Sequence, residues 1–303
     1  MSRSKSPIRA AGVVLLRRHR GKTEVCVLYR PSHKDWSLPK GKVESGEHVV
    51  TAAHRETLEE TGEFSVLGVP LATASYRVEG RRKTVRYWVA WVVPGGPGFT
   101  PNSEIDDLEW LSPDRAAKRL TYSRDVQLMR AALNAPTTAP LVILRHAQAR
   151  RRASWGKKPD RQRPLAAVGE RHAKDLTAIL DAFGVNQLYS SDALRCIDTI
   201  TPYADTKKAS IALEPLFSED GFDAGKSGSF KRLDTILTID EPVVVCTHRP
   251  LLPELLKHLQ RKIGLAKSKH LDPALPPGGF IVLHREFHPK KGLRVTAIER
   301  HTP

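Results

Sequence analysis

The chain has 303 residues, of which 40% are hydrophobic, and it carries a formal net charge of +16 at pH 7. This length accommodates two domains of ordinary size, and the composition is that of a globular protein and excludes a disordered chain. The positive charge favours polyanionic ligands. Small substrates rich in phosphate explain this charge as well as nucleic acid does. Because no nucleic-acid-binding motif is recognisable, no stable nucleic-acid partner is expected.

Membrane and disulfide-dependent classes are also disfavoured. No apolar run is long enough to span a bilayer, and the short apolar run near the N-terminus is not followed by a cleavage site of small residues. The three cysteines, Cys26, Cys196 and Cys246, are widely spaced and form no Cys-x-x-Cys pair. This usage indicates a reducing compartment and argues against disulfides or a zinc site. We therefore expect a cytoplasmic protein with no membrane partner.

In chain order, the first informative stretch is GKVESGEHVVTAAHRETLEETGE, residues 41–63. Gly41 and Gly46 are expected in a loop, where a chain reversal leaves no room for a side chain. The residues from Glu47 onward favour a helix, and Gly62 fits its C-cap. The stretch is therefore predicted to be a loop that leads into a helix.

Three carboxylates share one face of that helix, because Glu56, Glu59 and Glu60 are spaced i, i+3 and i+4. Acidic helix faces are commonly solvated, but this helix also has an apolar side, and Arg55 lies beside the acids. A hard divalent cation would relieve the repulsion. Mg²⁺ fits best, with Mn²⁺ as an alternative, because Mg²⁺ prefers carboxylate oxygens and substrate phosphates.

The same stretch resembles the Nudix box, G-x5-E-x7-R-E-U-x-E-E-x-G-U, in which U is apolar. Seven fixed positions match in one frame: Gly41, Glu47, Arg55, Glu56, Glu59, Glu60 and Gly62. Thr57 and Glu63 depart from the pattern, since both stand where U is expected. The resemblance implies a Mg²⁺-dependent pyrophosphohydrolase acting on a nucleoside diphosphate linked to another moiety.

This resemblance also implies roles for single residues. It assigns metal binding to Glu56, Glu59, Glu60 and the backbone carbonyl of Lys40, with Glu59 also catalytic. Arg55 would orient the carboxylates and Glu47 would support the loop. The W-x-L-P-K-G segment before the box implies substrate contacts from Ser37, Lys40 and Lys42, the lysines acting as point charges for phosphate.

Two later segments complete the predicted Nudix site. The strand predicted at Thr84–Val93 follows Lys83 and contains Tyr87, which is either a core aromatic or a pocket residue. The resemblance favours the pocket, because similar K-x-x-x-Y strands line it in hydrolases of dinucleoside polyphosphates and diphosphoinositol phosphates. In the loop before the E-W-L strand, Glu104 is the candidate for a further metal ligand and Asn102 for a substrate contact. Asp106 and Asp107 compete with Glu104 for the metal.

Residues 134–140, NAPTTAP, contain no large apolar side chain and read as a linker. We therefore predict two domains, residues 1–138 and 139–303.

The second half contains two short apolar strands that each end in a histidine. Leu141–Leu144 precedes Arg145 and His146, and VVVCT precedes His248, which Arg249 follows. Ligands of α/β folds bind at the carboxyl ends of strands, so the two histidines are predicted to share one pocket. Arg195, at the start of a predicted helix, brings a further cation.

These segments resemble the motifs of the histidine phosphatase superfamily. LVILRHAQA matches L-x-x-x-R-H, SSDALRCIDT matches S-S-x-x-x-R-x-x-x-T, and PDRQRPLAAVGERHA is similar to the D-x-x-R-P-L-x-x-x-G stretch of the SixA-like branch. The position after the first histidine is Ala147, as in SixA-like members. Arg249 follows the second histidine, where Gly is usual.

The resemblance implies that His146 forms a phosphohistidine, while Arg145, Arg195 and His248 stabilise the transferring phosphoryl group. Glu219 is the candidate proton donor and Glu214 its rival.

Together the two halves resemble two-domain actinobacterial MutT-type enzymes. That resemblance implies an α/β fold class, with a Nudix α/β/α sandwich followed by a phosphoglycerate-mutase-like α/β histidine phosphatase domain. It implies hydrolysis of 8-oxo-GTP and 8-oxo-dGTP to the diphosphates, and of diadenosine polyphosphates. Two alternatives stay open: an inositol pyrophosphate hydrolase, and a C-terminal half that is a non-catalytic binding or oligomerisation module. Self-association between Nudix and phosphatase domains is a further expectation.

Overall fold

The structure is a computed structural model that describes residues 7–78, 80–265, 268–290 and 292–303. The chain divides into two compact units between Pro136 and Thr137, inside the segment that the sequence marks as a linker. None of the helices described in these ranges is long and apolar enough to cross a membrane.

The first unit is built on an eight-stranded sheet. Its strands are β1 (Ile8–His19), β2 (Lys22–Arg30), β3 (Asp35–Ser37), β4 (Lys40–Lys42), β5 (Phe64–Pro70), β6 (Ala74–Val78), β7 (Arg81–Val93) and β8 (Asp107–Leu111). The main path runs β3-β2-β1-β7-β5, while β4 pairs with β1, β6 with β7 and β8 with β2. The central pair, β1 and β7, is parallel. Residues 10–16 of β1 are buried without alternation, as expected of a strand covered on both faces.

Three helices pack on this sheet: α1 (Val49–Thr61), α2 (Pro113–Arg119) and α3 (Ser123–Leu133). Helix α1 contacts β1, β4 and β5, and α2 contacts β2 and β8. Gly62 ends α1 in a left-handed conformation, and its N–H donates to the Leu58 carbonyl at 2.8 Å. The predicted C-cap is therefore confirmed.

Two local predictions for this stretch are wrong. The helix begins at Val49 and not at Glu47, because the Glu47 carboxylate accepts from the Glu44 N–H at 2.9 Å and keeps residues 44–47 in a turn. Gly41 lies in β4 opposite Ala11 and not in a loop. The position requires glycine for another reason: a Cβ there would lie 1.8 Å from Glu56 Oε2.

Thr57, which departs from the apolar pattern of the box, is fully buried. Its hydroxyl donates to the Ala53 carbonyl one turn earlier at 2.7 Å. The polar atom is thus satisfied within the helix, and the methyl group faces the core as an apolar residue would.

The second unit contains a six-stranded sheet in the order β11-β10-β12-β9-β13-β14. Its strands are β9 (Ala139–Arg145), β10 (Gln187–Ser190), β11 (Ile211–Leu213), β12 (Val243–Thr247), β13 (Phe280–His288) and β14 (Gly292–His301). The first four strands of that order are parallel, and the β13–β14 hairpin pairs antiparallel to β9. The carboxyl ends of β10, β12 and β9 therefore lie at one edge.

Among the described residues, five α-helices complete the unit: α4 (Ala167–Ala182), α5 (Leu194–Lys207), α6 (Glu219–Ala224), α7 (Lys226–Leu237) and α8 (Leu252–Lys262). Apolar residues of β9, β12, α7 and α8 form its core. The predicted α/β class is confirmed in both units.

A buried arginine holds the sheet and α7 together. Arg285 on β13 is fully buried, and its guanidinium donates to backbone carbonyls only. They belong to Ala139, Pro140, Ile236, Leu237, Ile239 and Glu241. These contacts satisfy the last carbonyls of α7, and burial lowers the pKa of Arg285 to about 10.

Candidate active sites

The acidic face of α1 is partly buried. Glu60 is 6% exposed, and its Oε2 accepts from the backbone N–H of Lys40 at 2.7 Å. Glu56 is 9% exposed, whereas the side chain of Glu59 is 57% exposed. Burial raises the pKa of both inner carboxyls, that of Glu60 to about 7. The sequence therefore supplies two inner acids and one outer acid on one helix face.

Arg55 is the cation that compensates this face. Its Nε donates to Glu47 Oε1 at 2.8 Å, and its Nη1 donates to Glu56 Oε1 at 2.9 Å and to Glu59 Oε2 at 2.8 Å. Its Nη2 also donates to the carbonyl of Lys42 at 3.0 Å. The guanidinium thus ties the loop of residues 42–47 to the acids of α1.

Within residues 7–78, 80–265, 268–290 and 292–303, no three His, Cys, Asp or Glu side chains converge as a ready metal site. The donor set nevertheless fits a hard cation, since Glu56 and Glu60 are carboxylates held close to a backbone segment that only glycine allows. Glu59 is turned onto Arg55 and would have to join them.

The loop before β8 brings one more acid toward this face. Glu104 is exposed, and its charge raises the pKa of Glu56, after burial and Glu59. Asn102 Oδ1 accepts from the N–H groups of Glu104 and Ile105 at 2.8 and 2.9 Å. The Asn102 oxygen therefore shapes the loop. Asp106 and Asp107, the competitors of Glu104 for the metal, are exposed at the start of β8.

The residues predicted from the W-x-L-P-K-G segment differ in depth. Ser37 is 1% exposed and its hydroxyl donates to Asp125 Oδ2 on α3 at 3.1 Å. Lys40 is buried, and its Nζ donates to the Leu38 carbonyl at 3.3 Å. Burial and the charge of Arg30 lower the pKa of Lys40 to about 8. Lys42, in contrast, is exposed.

Lys83 and Tyr87 lie on β7, which pairs with β1. Strand β4, at the end of the W-x-L-P-K-G segment, pairs with β1 as well. Lys83 is partly buried, and burial together with Arg30 and Lys42 lowers its pKa. Tyr87 is 2% exposed, and burial raises its pKa well above the usual value. Tyr87 is thus a buried aromatic, and the charges acting on it include those of Glu60 and Asp125.

An aromatic clamp around an arginine was not anticipated from the sequence. The Arg124 guanidinium lies 4.0 Å from the centre of the Tyr76 ring and 4.4 Å from that of Tyr122. Tyr122 is fixed in turn, because its hydroxyl donates to Asp35 Oδ2 at 2.9 Å. A bidentate pair from Arg30, at 2.8 and 2.7 Å, holds Asp35. Tyrosines at positions 76 and 122 carry no local signal that would pair them.

In the second unit, parallel register brings the two predicted histidines together. His146 follows β9 and His248 follows β12, and Arg145 and Thr247 are register partners. The His146 N–H donates to the Thr247 carbonyl at 3.0 Å. The two imidazole rings lie 5.3 Å apart, centre to centre.

Both imidazoles are held neutral. Burial is the largest cause, and the nearby arginines add to it, so that the pKa of His146 falls to about 4 and that of His248 to about 2. His146 Nδ1 donates to the Ala147 carbonyl at 2.7 Å, which leaves the lone pair on Nε2. A neutral imidazole with a free Nε2 is the form that attacks phosphorus.

Arg195 lies beside these histidines on the first turn of α5 and is 2% exposed. Its Nη2 donates to Glu219 Oε1 at 2.9 Å, and the same oxygen lies 3.6 Å from His248 Nδ1. Glu214, the rival acid, pairs with Arg232 instead. The structure therefore brings Glu219, and not Glu214, to the histidines.

Three further residues of the motifs contribute to this site. Ser191 Oγ lies 2.8 Å from His248 Nε2. Asp160 accepts from Arg163 at 2.8 Å and from Arg152 at 3.1 Å. Burial by itself would raise the pKa of Asp160, but these bonds and the charge of Arg195 lower it to about 2. The D-x-x-R and S-S spacings were visible in the sequence, but they indicated no partners.

Comparison with known proteins agrees with the two units. A NUDIX domain model matches residues 6–132, and a model of the histidine phosphatase superfamily (branch 1) matches residues 141–227. An 8-oxo-(d)GTP phosphatase of Mycolicibacterium smegmatis is 40% identical over 265 residues, which cover 84% of this chain and 81% of that protein. A bis(5'-nucleosyl)-tetraphosphatase (asymmetrical) of Caenorhabditis elegans is 33% identical over 131 residues, which cover 41% of this chain and 92% of that protein. The crystal structure of C. elegans Ap4A hydrolase aligns with a TM-score of 0.38 at 29% identity, covering 43% of this chain and 100% of that one.

Proposed function

Because the chain belongs to the Nudix hydrolases and carries a histidine phosphatase domain after its Nudix domain, we propose that it is a two-site nucleotide hydrolase. The first unit hydrolyses 8-oxo-GTP and 8-oxo-dGTP to the diphosphates, and diadenosine polyphosphates, with Mg²⁺. The second unit releases phosphate through a phosphohistidine. The observation that carries the first assignment is the acidic face of α1, whose inner carboxylates lie against β4, Glu56 beside Gly41 and Glu60 on the backbone N–H of Lys40.

The proposed metal ligands are Glu56, Glu59, Glu60, Glu104 and the backbone carbonyl of Lys40. A bound Mg²⁺ polarises phosphoryl oxygens and offsets the charge that develops on them. Arg55 keeps the carboxylates oriented through its bonds to Glu47, Glu56 and Glu59. Glu59, the most exposed of the three acids of α1, would take a proton from an attacking water.

The clamp around Arg124 supports a nucleotide rather than an inositol pyrophosphate. Two tyrosine rings that accept a flat guanidinium between them also fit a flat base, since both stack on aromatic faces. Lys40, Lys42 and Lys83 supply the positive charge for the polyphosphate. Asp125, whose pKa burial raises, lies under this region and is bonded to Ser37.

For the second unit, the observation that carries the assignment is the pair His146 and His248 at one sheet edge. His146 Nε2 attacks phosphorus, and Arg145, Arg195 and His248 surround the transferring oxygens. Arg145 and Arg195 each keep a buried Nε–H that has no acceptor within the part of the chain that the structure describes. Such donors suit phosphoryl oxygens, because an unpaired buried N–H is costly.

The first assignment is tested by Glu60→Gln and Glu56→Gln in the full chain, with Glu63→Gln as a control from the same stretch. We expect 8-oxo-GTP turnover at saturating Mg²⁺ to fall at least a hundredfold in the first two variants, with unchanged circular dichroism. Near-wild-type turnover in both variants would show that these carboxylates are not required for the reaction. A panel that includes diadenosine tetraphosphate and inositol pyrophosphates decides the substrate.

The second assignment is tested with EDTA present, which disables a metal-dependent first site. Phosphate release from nucleotides and acid-labile protein phosphate are compared between wild type, His146→Ala and His270→Ala, the last removing an exposed histidine. We expect only His146→Ala to lose both signals. Equal phosphate release by wild type and His146→Ala would contradict the phosphohistidine mechanism and favour a binding or oligomerisation role for the second unit.

A further inference from the structure

We propose that the site of the second unit is built for a substrate with two adjacent phosphoryl groups, and that Arg249 binds the phosphoryl group that is not transferred. The inference rests on the proposed phosphohistidine chemistry and adds the class of substrate, an organic diphosphate such as a nucleoside diphosphate. Two independent features lead to it: a pair of guanidiniums that no carboxylate pairs with in the described ranges, and a carboxylate that already faces two other guanidiniums.

The first feature is the pair Arg145 and Arg249. Both line one cavity of about 310 Å³ together with His146. Arg145 Nη1 donates to the Leu275 carbonyl at 2.6 Å, and its Nε is buried without a partner. Burial and the charge of Arg249 lower the pKa of Arg145. Neither guanidinium has a carboxylate partner within the described ranges, so an anion between them would relieve their repulsion.

One phosphoryl group does not need all the polar groups of this site. The transferring group next to His146 already has Arg195, which is 2% exposed, and His248, which is fully buried. Arg249 follows His248 directly but is exposed. Its guanidinium therefore lies closer to the protein surface than that of the buried Arg195. A second phosphoryl group, attached to the first, would reach that position and share Arg145 with its neighbour.

The second feature concerns the leaving group. Glu219 accepts from Arg195 Nη2 at 2.9 Å, and its other oxygen lies 3.5 Å from Arg152 Nη2. Both carboxylate oxygens of Glu219 thus face guanidiniums, and the proposed reaction requires no proton from Glu219. A phosphate leaving group needs no such proton, because its second pKa is about 6.

The proposed reaction is balanced as follows. His146 Nε2 forms a bond to the terminal phosphorus while the bond from that phosphorus to the bridging oxygen breaks. The bridging oxygen keeps the electron pair and departs as part of a phosphomonoester, which Arg249 and Arg145 stabilise. Water then hydrolyses the phosphohistidine, releasing inorganic phosphate and restoring His146. The net change is diphosphate plus water to monophosphate plus phosphate.

The arginine also explains a departure from the family pattern. Gly is usual after the second histidine, and it would leave this part of the cavity without a charge. Arg150 and Arg151, exposed on the same cavity, add to the positive potential there. A site with this field binds a more highly charged anion in preference to a phosphomonoester.

The test compares GDP with GMP, which share the nucleoside and differ by one phosphoryl group. Phosphate release by the full chain is measured in EDTA for wild type, Arg249→Ala, Arg249→Lys and Arg261→Ala; Arg261 is exposed on α8. We expect Arg249→Ala to lower kcat/KM for GDP about tenfold to a hundredfold, the value of a charged hydrogen bond. The GMP value should change less than about twofold, and Arg249→Lys should recover part of the loss. Arg261→Ala should match wild type.

Binding gives a second readout that needs no turnover. Methylenediphosphonate and inorganic phosphate are titrated calorimetrically into the His146→Ala background, with and without Arg249→Ala. Selective loss of methylenediphosphonate binding supports the proposal even if wild type releases no phosphate, a result that would refute the phosphatase function alone. Equal losses for both anions, or none for either, would overturn the role of Arg249 while leaving the phosphohistidine mechanism intact.

Discussion

Acidification should destabilise the second unit because His146 and His248 are buried in their neutral forms. Burial lowers the pKa of His146 to about 4 and that of His248 to about 2, from the ordinary histidine value of 6.5. Between pH 6.5 and these values the unfolded chain binds protons that the folded chain excludes, so stability falls as pH falls. At pH 5 each imidazole should cost about 2 kcal/mol relative to pH 7, or about 4 kcal/mol together.

The comparison is between wild type, His146→Asn and His248→Asn, with His270→Asn as the exposed control. Urea unfolding of the full chain is followed by circular dichroism at pH 7 and pH 5 in phosphate-free buffer, since phosphate would stabilise the folded state by binding to it. Each buried-site variant should lose about 2 kcal/mol less than wild type over this range. An identical pH dependence in wild type and His146→Asn would refute the neutral, buried state of His146.

Three further expectations follow from the contacts. Arg285→Met should destabilise the second unit by more than about 3 kcal/mol in urea unfolding, because six backbone carbonyls each lose a donor and four of these bonds are buried; a smaller change would show that water replaces the guanidinium. Glu219→Gln should tighten phosphate binding in calorimetry, because the carboxylate competes for Arg195; unchanged affinity would contradict that competition. Residues 1–138 and 139–303 should each fold when expressed alone, as judged by cooperative thermal unfolding; an unfolded half would disprove independence.

Motifs with fixed spacing were the most predictable part of the site. Glu56, Glu59 and Glu60 share a face because helix geometry demands it, and His146 and His248 meet because both follow parallel strands that pair. The strands and helices that carry them were also predictable, apart from their ends. The start of α1 was missed because the Glu47 side chain competes with the helix for the turn.

Contacts between distant segments could not be predicted. Ser37 looks like a phosphate contact in its local motif, yet its hydroxyl is bonded to Asp125, 88 positions away. The choice between Glu219 and Glu214 depends on α6, which starts at Glu219 and turns it toward Arg195. Single-sequence patterns report spacing along one element, and they carry no information on which side chain of another element lies opposite.

The two proposed sites carry opposite charges, and each contains ion pairs between its own side chains. In the first unit, Arg55 neutralises carboxylates that a cation would otherwise hold. In the second, Glu219 neutralises an arginine that a phosphate would otherwise hold. A buried charge left without a partner costs several kcal/mol, so these internal ion pairs stabilise the folded protein. Ligand binding must therefore exchange one ion pair for another. The free energy of ligand binding at each site is therefore the difference between the ion pairs formed with the ligand and the internal ion pairs that are broken. It is most favourable where the ligand carries more charge than the side chain it displaces.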